Sequence, residues 1–556
     1  MLVASGEFDS AIAEFQAALR LDPQSHELRN YLGVCWVAMN DLDAAILEFR
    51  EALRLNPGYG EARSNLGAAL VRAGDPHEAE AELRLAVRDA PFSPEIHYRL
   101  GLALSSAGDQ HGARSALERA VDLQPDFARA LNDLGVVLVR LGELEGAEMR
   151  FRQAAVASPG YAEARFNLGR LLLEKGSPQL AIAEFREAIQ AEPGHIGARV
   201  QLGRALVDEG DTESALRELA EALRLHPNHA EAHFQRGLAL RQREERAKAI
   251  AAFEKAITLS PGFVGARNAL GAALAETGRL EEAIRTFRVA TRLAPASLDG
   301  HYNLGLALLM ASEIDPALIA LQAAAELRPE EAKVRYRLAS ASAKAGDLDR
   351  AVAEYRETLR LDPDYPGVHY NLGRVYNRKG DRERAAEQFR ILARLREQQE
   401  ARDLAATQVL LAIGKGLDAM AEGDLEQAVE DFRAAVRSGP DSAEARNHLG
   451  VSLARSGDVE GAIAEFRRAI ELEPGQSAAH NNLGGLLAAT SDMESAVAQF
   501  ENALRLQSDF AEAHYNLAVM LLRQGDRGRA SIEFQKARQL NPRLEPPEGL
   551  GRVSLP

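Results

Sequence analysis

A Leu followed by a Gly returns along this chain with a fixed step. Gly33, Gly67, Gly101, Gly135, Gly169, Gly203, Gly237, Gly271, Gly305 and Gly373 keep a 34-residue register, with Ala339 in the one gap. Counted from residue 26, the apolar positions 4, 7, 8 and 11 of each unit fall on one face at helical spacing and predict a first amphipathic helix. Position 20 is Ala in every full unit, from Ala45 and Ala79 to Ala496 and Ala530. Position 24 is large and apolar, as at Phe49, Leu83, Phe151, Phe253, Tyr355, Phe466 and Phe534. These columns predict a second helix. Small residues at 8 and 20 let the two helices approach closely, and the side chain at 24 fills the space between them. Pairs such as Gly74-Asp75 and Gly346-Asp347 end the first helix on a glycine and open the second on an acid. Pro at position 32, as at Pro57, Pro91, Pro125 and Pro474, stops the second helix. Such a unit cannot bury its faces alone and must stack on its neighbours.

Full units begin at 26 and at every 34th residue to 366, then at 409, 443, 477 and 511. The expected organisation is a partial repeat over 1–25, a block of eleven repeats over 26–396, an inserted helical joint over 397–408, a block of four repeats over 409–544, and a tail over 545–556. Gly416 lies 43 residues after Gly373, so nine residues are extra. They fall in "FRILARLREQQEARDLAATQVLLA", charged and free of Pro and Gly. This stretch reads as a second helix extended outward, then bent into the next first helix. At the start, Ala11, Phe15, Ala18 and Pro23 match positions 20, 24, 27 and 32, which is a repeat without most of its first helix. The tail is short for the polar cap that stacked arrays use, so the sequence is expected to be a piece of something longer.

The 34-residue unit, with "NLG" in its first helix, Ala at 20, Phe at 24, Ala at 27 and Pro at 32, resembles the tetratricopeptide repeat. About fifteen full units plus a partial first one carry the resemblance over essentially the whole chain. It implies an all-α fold: a right-handed superhelical solenoid of antiparallel helix pairs, with the first helices lining a concave groove.

Positions 2, 6, 9 and 13 lie opposite the apolar face of the first helix. In a solenoid they form the floor of the groove. Asn recurs at position 6, at Asn65, Asn167, Asn303, Asn371, Asn482 and Asn516, with Gln201 and Gln235 in equivalent places. A carboxamide both donates and accepts, so a ladder of them can pair with the backbone of an extended peptide of any sequence. This resembles the asparagine ladder of the O-linked N-acetylglucosamine transferase repeats. Positions 6, 9 and 13 hold more cations than acids although the chain is −16 overall. Their densest cluster is Arg337, Lys344, Arg374 and Arg378, on two consecutive units. It is expected to anchor carboxylates of an extended partner. Acids at position 2, such as Glu61, Glu95 and Glu163, sit in the first turn, where they suit the helix dipole. The clamp of chaperone-binding repeats needs Asn at position 9, which holds Val34, Ala68, Leu102 and Arg170 here, so binding of a chaperone tail is not expected.

The net charge and a pI near 5.5 argue against a nucleic-acid partner, because phosphate binding needs a dominant basic surface. No run of about 18 apolar residues is present, so no transmembrane segment is expected, and no signal peptide is visible. No HExxH or phosphate-loop motif occurs, and no cofactor, metal or catalytic residue is expected. His226, His229 and His233 in "HPNHAEAH" have metal-like spacing, but His233 belongs to a column with His97, His301, His369, His480 and His514, which marks it as structural. Cys35, the single cysteine, is expected to be buried. The reading is a scaffold or adaptor, not an enzyme, that binds other proteins through extended segments. The rival is the recognition part of a larger glycosyltransferase-like enzyme or secretion assembly. Self-association through uncapped ends is a further expectation. The compartment is undetermined: cytoplasmic by default, periplasmic if the N-terminus is truncated.

Overall fold

The computed structural model describes residues 8–548; positions 1–7 of the partial repeat and 549–556 of the tail lie outside the described residues. Thirty helices and no strand occur among the described residues. The chain divides into two units, Met1–Tyr365 and Pro366–Pro556. The first opens with helix Phe8–Leu21 and continues as ten helix pairs, from His26–Ala38 with Leu42–Leu55 to Ala332–Ala345 with Leu348–Leu361. The second comprises Val368–Arg378, the long helix Arg382–Glu422, Leu425–Ser438, and three pairs from Ala443–Ser456 to Arg527–Leu540. Within each unit every helix packs on the next, and first helices also meet the first helix of the following repeat. Their shared side is therefore the inner one.

The core follows the sequence columns. The position-24 side chains Phe49, Phe185, Phe253 and Phe432 are fully buried. A Cβ placed on Gly169 would lie 2.6 Å from Phe185 Cε1, and one on Gly416 the same distance from Phe432 Cε1. Glycine at position 8 thus makes room for the ring opposite. The turns also match: Gly346 adopts φ +91° at the end of its helix, and the Asp347 side chain accepts from Arg350 N at the start of the next.

Position 4 corrects the sequence reading. It is Arg or His in most repeats rather than apolar, and it ties the turns together. Arg63, Arg199, Arg335 and Arg446 donate to the carbonyls of Pro57, Pro193, Pro329 and Pro440. The same guanidinium groups pair with Glu82, Glu218, Glu354 and Glu465 on the second helix at 2.6–3.0 Å. The long aliphatic stem covers apolar surface while the head satisfies an otherwise orphaned turn carbonyl.

The extra nine residues make no turn. Residues 382–422 form one uninterrupted helix that joins a second helix to the next first helix, in place of the expected bend. The physical reason is local. Position 32, Pro in most repeats, is Glu397 here, and no glycine interrupts Gln388–Gln408. By length and composition alone this is the one described helix that could cross a membrane, an exception to the sequence expectation. Its Val409, Ile413, Gly416 and Ala419 are nevertheless buried within the second unit. Residues 396–404 are exposed throughout. The two units divide at Tyr365 rather than here, so we propose that 397–408 acts as a joint within the second unit, and limited proteolysis is expected to cut first between 396 and 406. First cuts at inter-repeat turns, with this helix intact, would remove the idea.

Candidate functional site

All ten candidate groove residues lie on first helices. Asn65, Asn167, Asn303, Asn371, Asn482 and Asn516 are half-buried, whereas Arg337, Lys344, Arg374 and Arg378 are exposed. Arg337 and Lys344 share Ala332–Ala345 in the first unit, and Arg374 and Arg378 share Val368–Arg378 in the second. The guanidinium of Arg337 lies 5.5 Å from the Tyr336 ring centre, and that of Arg374 lies 5.7 Å from Tyr370, an arrangement that holds each cation over an aromatic face.

The asparagines have partners that the sequence reading missed. Four of them reach back 35 residues to position 5 of the preceding repeat. Asn65 Nδ2 donates to Asn30 Oδ1, Asn167 to Asn132, Asn482 to Asn447 and Asn516 to Asn481, each at 3.0 Å. Elsewhere the same step uses other groups: Arg99 Nη1 donates to Ser64 Oγ at 3.0 Å, and Tyr98 Oη to Asp133 Oδ2 at 2.9 Å. Between Asn268 and Asn303 no bond is made, and Asn268 Oδ1 is buried without a partner. The ladder therefore first stitches repeat to repeat. Each donating amide keeps a second N–H that this bond does not use. The signal for it was present as Asn at positions 5 and 6 of successive units.

Position-2 acids also belong to this face. Glu61 accepts from Asn30 Nδ2 at 3.1 Å, Glu95 from Arg129 at 3.3 Å, and Glu231 from Gln235 at 2.7 Å. Glu163 lies 3.3 Å from His195 Nε2; that contact holds its carboxyl below the usual range and raises the His195 pKa. These acids offset part of the positive surplus of positions 6, 9 and 13. Burial pushes Asp133 up, and Tyr161, also desolvated beside Asp133, up to about 12. Asn132 donates to Asp133 at 3.0 Å and accepts from Asn167, so it joins two steps of the network. Asn132→Ala is expected to cost about 1–3 kcal/mol, because it removes the acceptor of Asn167 and one of the two hydrogen bonds of Asp133 at once. Chemical denaturation alongside Asn482→Ala, which leaves Asn447 and its neighbours otherwise intact, checks this. Equal small losses would show that the steps are not coupled.

Between helices Ala128–Arg140 and Ala162–Glu174 lies a depression of about 290 Å³ whose lining includes Val136, Val139 and Leu171 with Arg140, Asn167, Arg170 and Glu174. Arg140 donates to Ser105 Oγ at 2.9 Å, and Arg170 lies 5.8 Å from the Phe166 ring centre. The histidine cluster does not converge. His229 Nδ1 accepts from Ala232 N, while His233 Nε2 bonds the Pro227 carbonyl at 2.9 Å. Cys35 is fully buried, and burial raises its thiol pKa.

A family model described as "Tetratricopeptide repeat" matches residues 2–60, 98–161, 139–196, 200–263, 413–477 and 462–500, more than half of the chain. Two further models of that description match 38–100 and 240–309, and 511–544; one described as "TPR repeat" matches 340–380 and 486–525. No curated protein matches. Among solved structures, YrrB, described as a TPR protein with an unusual peptide-binding site, is 26% identical over 33% of this chain and 95% of its own, with a TM-score of 0.30. MamA 41-end from Desulfovibrio magneticus RS-1 is 26% identical over 31% of this chain and 97% of its own, with a TM-score of 0.29. The APC/C hetero-tetramer Cut9–Hcn1 is 16% identical over 92% of this chain and 93% of its own, with a TM-score of 0.39.

Proposed function

The chain belongs to the tetratricopeptide-repeat family, and on that premise we propose that this protein–protein interaction scaffold takes an extended, acidic segment of a partner along the inner face of its first helices. The family's fold is in general a non-catalytic interaction scaffold, and the reading is an adaptor rather than an enzyme. The observation that carries it is the combination on one face of half-buried amides and exposed cations. The amides offer hydrogen bonds to a peptide backbone, which has no sequence, and the cations offer charge-assisted bonds to carboxylates, which set the preference. The Arg337–Tyr336 and Arg374–Tyr370 arrangements hold each cation in place, which lowers the entropy lost on binding. Each basic pair is proposed as an anchor within its own unit.

The test is a titration of the full chain with unstructured peptides matched in length, one rich in Asp and Glu and one neutral, at low and high salt. Tighter binding of the acidic peptide, weakening as salt rises, is expected. Equal affinity for both, or none for either, retires the groove reading and moves the interaction to another surface.

A further inference from the structure

Position 7 of the first helix is Leu in every repeat but two, where Arg236 and Lys415 stand. Lys415 is exposed, but Arg236 is largely withdrawn from solvent. Arg236 Nε is buried with no hydrogen-bond partner. Desolvation lowers the Arg236 pKa, and no carboxylate acts to raise it. Its Nη2 lies 3.4 Å from another nitrogen, His233 Nδ1, a long hydrogen bond to a neutral acceptor. His233 Nε2 is engaged with the Pro227 carbonyl, so the ring donates from Nε2 and is left to accept at Nδ1. After desolvation and against that carbonyl bond, the charges that push the His233 pKa down are Arg236, Lys255 and His229. Two elements thus contribute cations here: Arg236 on the first helix Ala230–Gln242, in contact with His233, and Lys255, exposed on the second helix Arg246–Leu259.

No acid balances them. Position 23, where Glu82, Glu218 and Glu354 pair with the position-4 arginines, is Ala252 here. The repeats of His97 and His301 also have Ala at position 23, Ala116 and Ala320, but they keep Leu100 and Leu304 at position 7. A cation at position 7 with no acid at position 23 is therefore peculiar to this repeat, since the repeat of Lys415 has Asp431 there. Nearby Glu231 is occupied by Gln235, whose Oε1 is itself buried without a partner. A guanidinium whose Nε is buried without an acceptor and that has no anion beside it is an unfavourable arrangement that binding an anion would relieve.

We propose that Arg236, Lys255 and His233 form an oxyanion site that receives a phosphate monoester or carboxylate borne by a partner protein. The Arg236 fork makes directed bonds, Lys255 adds a mobile point charge, and His233 gains a proton once an anion lies among the cations. This site lies off the inner-face columns and does not depend on the groove reading.

The experiment is calorimetric titration of the full chain with inorganic phosphate at constant ionic strength, beside Arg236→Leu and Lys255→Ala. The wild type is expected to bind saturably, and each variant at least tenfold more weakly. Arg236→Leu restores the column residue, so its thermal midpoint without phosphate is expected to stay level or rise, which separates lost binding from lost folding. In histidine-labelled protein, phosphate is expected to raise the His233 pKa in the wild type and not in Arg236→Leu. Absence of saturable phosphate binding, or equal binding by Arg236→Leu, overturns the proposal. Acetate competition then separates the sources: displacement of phosphate assigns a carboxylate, and failure to displace it assigns a phosphate monoester.

Discussion

Phe185→Ala is expected to destabilise its part of the array by about 3–5 kcal/mol. The ring is fully buried and occupies the space that a Cβ on Gly169 would need. Losing it removes both the apolar burial and the contact that fixes the two helices of the pair. Stability in a stacked array is close to a sum of repeat and neighbour terms, so the damage should be local. Hydrogen exchange is the appropriate readout: amides of Ala162–Glu174 and Pro178–Ala191 should exchange fastest, with protection recovering a few repeats away. Gly169→Val alone should also be severely destabilising, because the branched side chain meets the ring. Combined with Phe185→Ala it should be much less harmful than the sum, since each change makes room for the other. Two repeats show that the pairing has some play: Ala339 stands opposite Tyr355, and Ala518 opposite Phe534. Tyr355 there contacts Ser340 Oγ at 3.0 Å. Additive losses in the double variant would mean that Gly169 is not selected by the ring.

Reversing the exposed cations should remove acidic-peptide binding while sparing the fold. Arg337→Glu with Lys344→Glu is the cleanest pair, since both side chains are exposed and both lie on one helix of one unit. A charge-assisted hydrogen bond is worth about 1.5–3 kcal/mol, so the double reversal is expected to weaken binding by about a hundredfold or more. Arg374→Glu tests the second unit separately. Arg378 already has a partner within the protein, so its reversal would mix a structural change with the loss of a ligand contact. Helical content and thermal midpoint should match the wild type in both variants. Unchanged peptide affinity with an intact fold would show that these cations are only a solvated stripe.

The repeat was legible because it is written many times. One Ala at position 20 says little, but the same column from Ala45 to Ala530 requires a close helix approach. The turn chemistry was equally local, as at Gly346 and Asp347. Position 4 was misjudged because face assignment by helical angle alone ranks Arg63 and Arg446 by direction, not by length. Their stems lie among apolar atoms while their heads reach a carbonyl two turns of chain away. The fused helix over 382–422 was half legible. The absent Pro and Gly were visible, but a bend was expected where the backbone had no reason to stop hydrogen bonding.

The sequence by itself determined the repeat, its register, the packing pair of glycine and ring, and the family. All of these rest on interactions within about 20 residues, repeated in phase. The tertiary structure decided which polar groups are spent. Asn132 and Asn167 meet only because two repeats stack, 35 residues apart, and the stack turns part of the ladder into a seam. It also decided that Arg236, one cation among 66 basic residues, has its Nε buried without an acceptor and no acid beside it. Composition cannot reveal that, because whether a charge is paired depends on what the neighbouring helices bring to it.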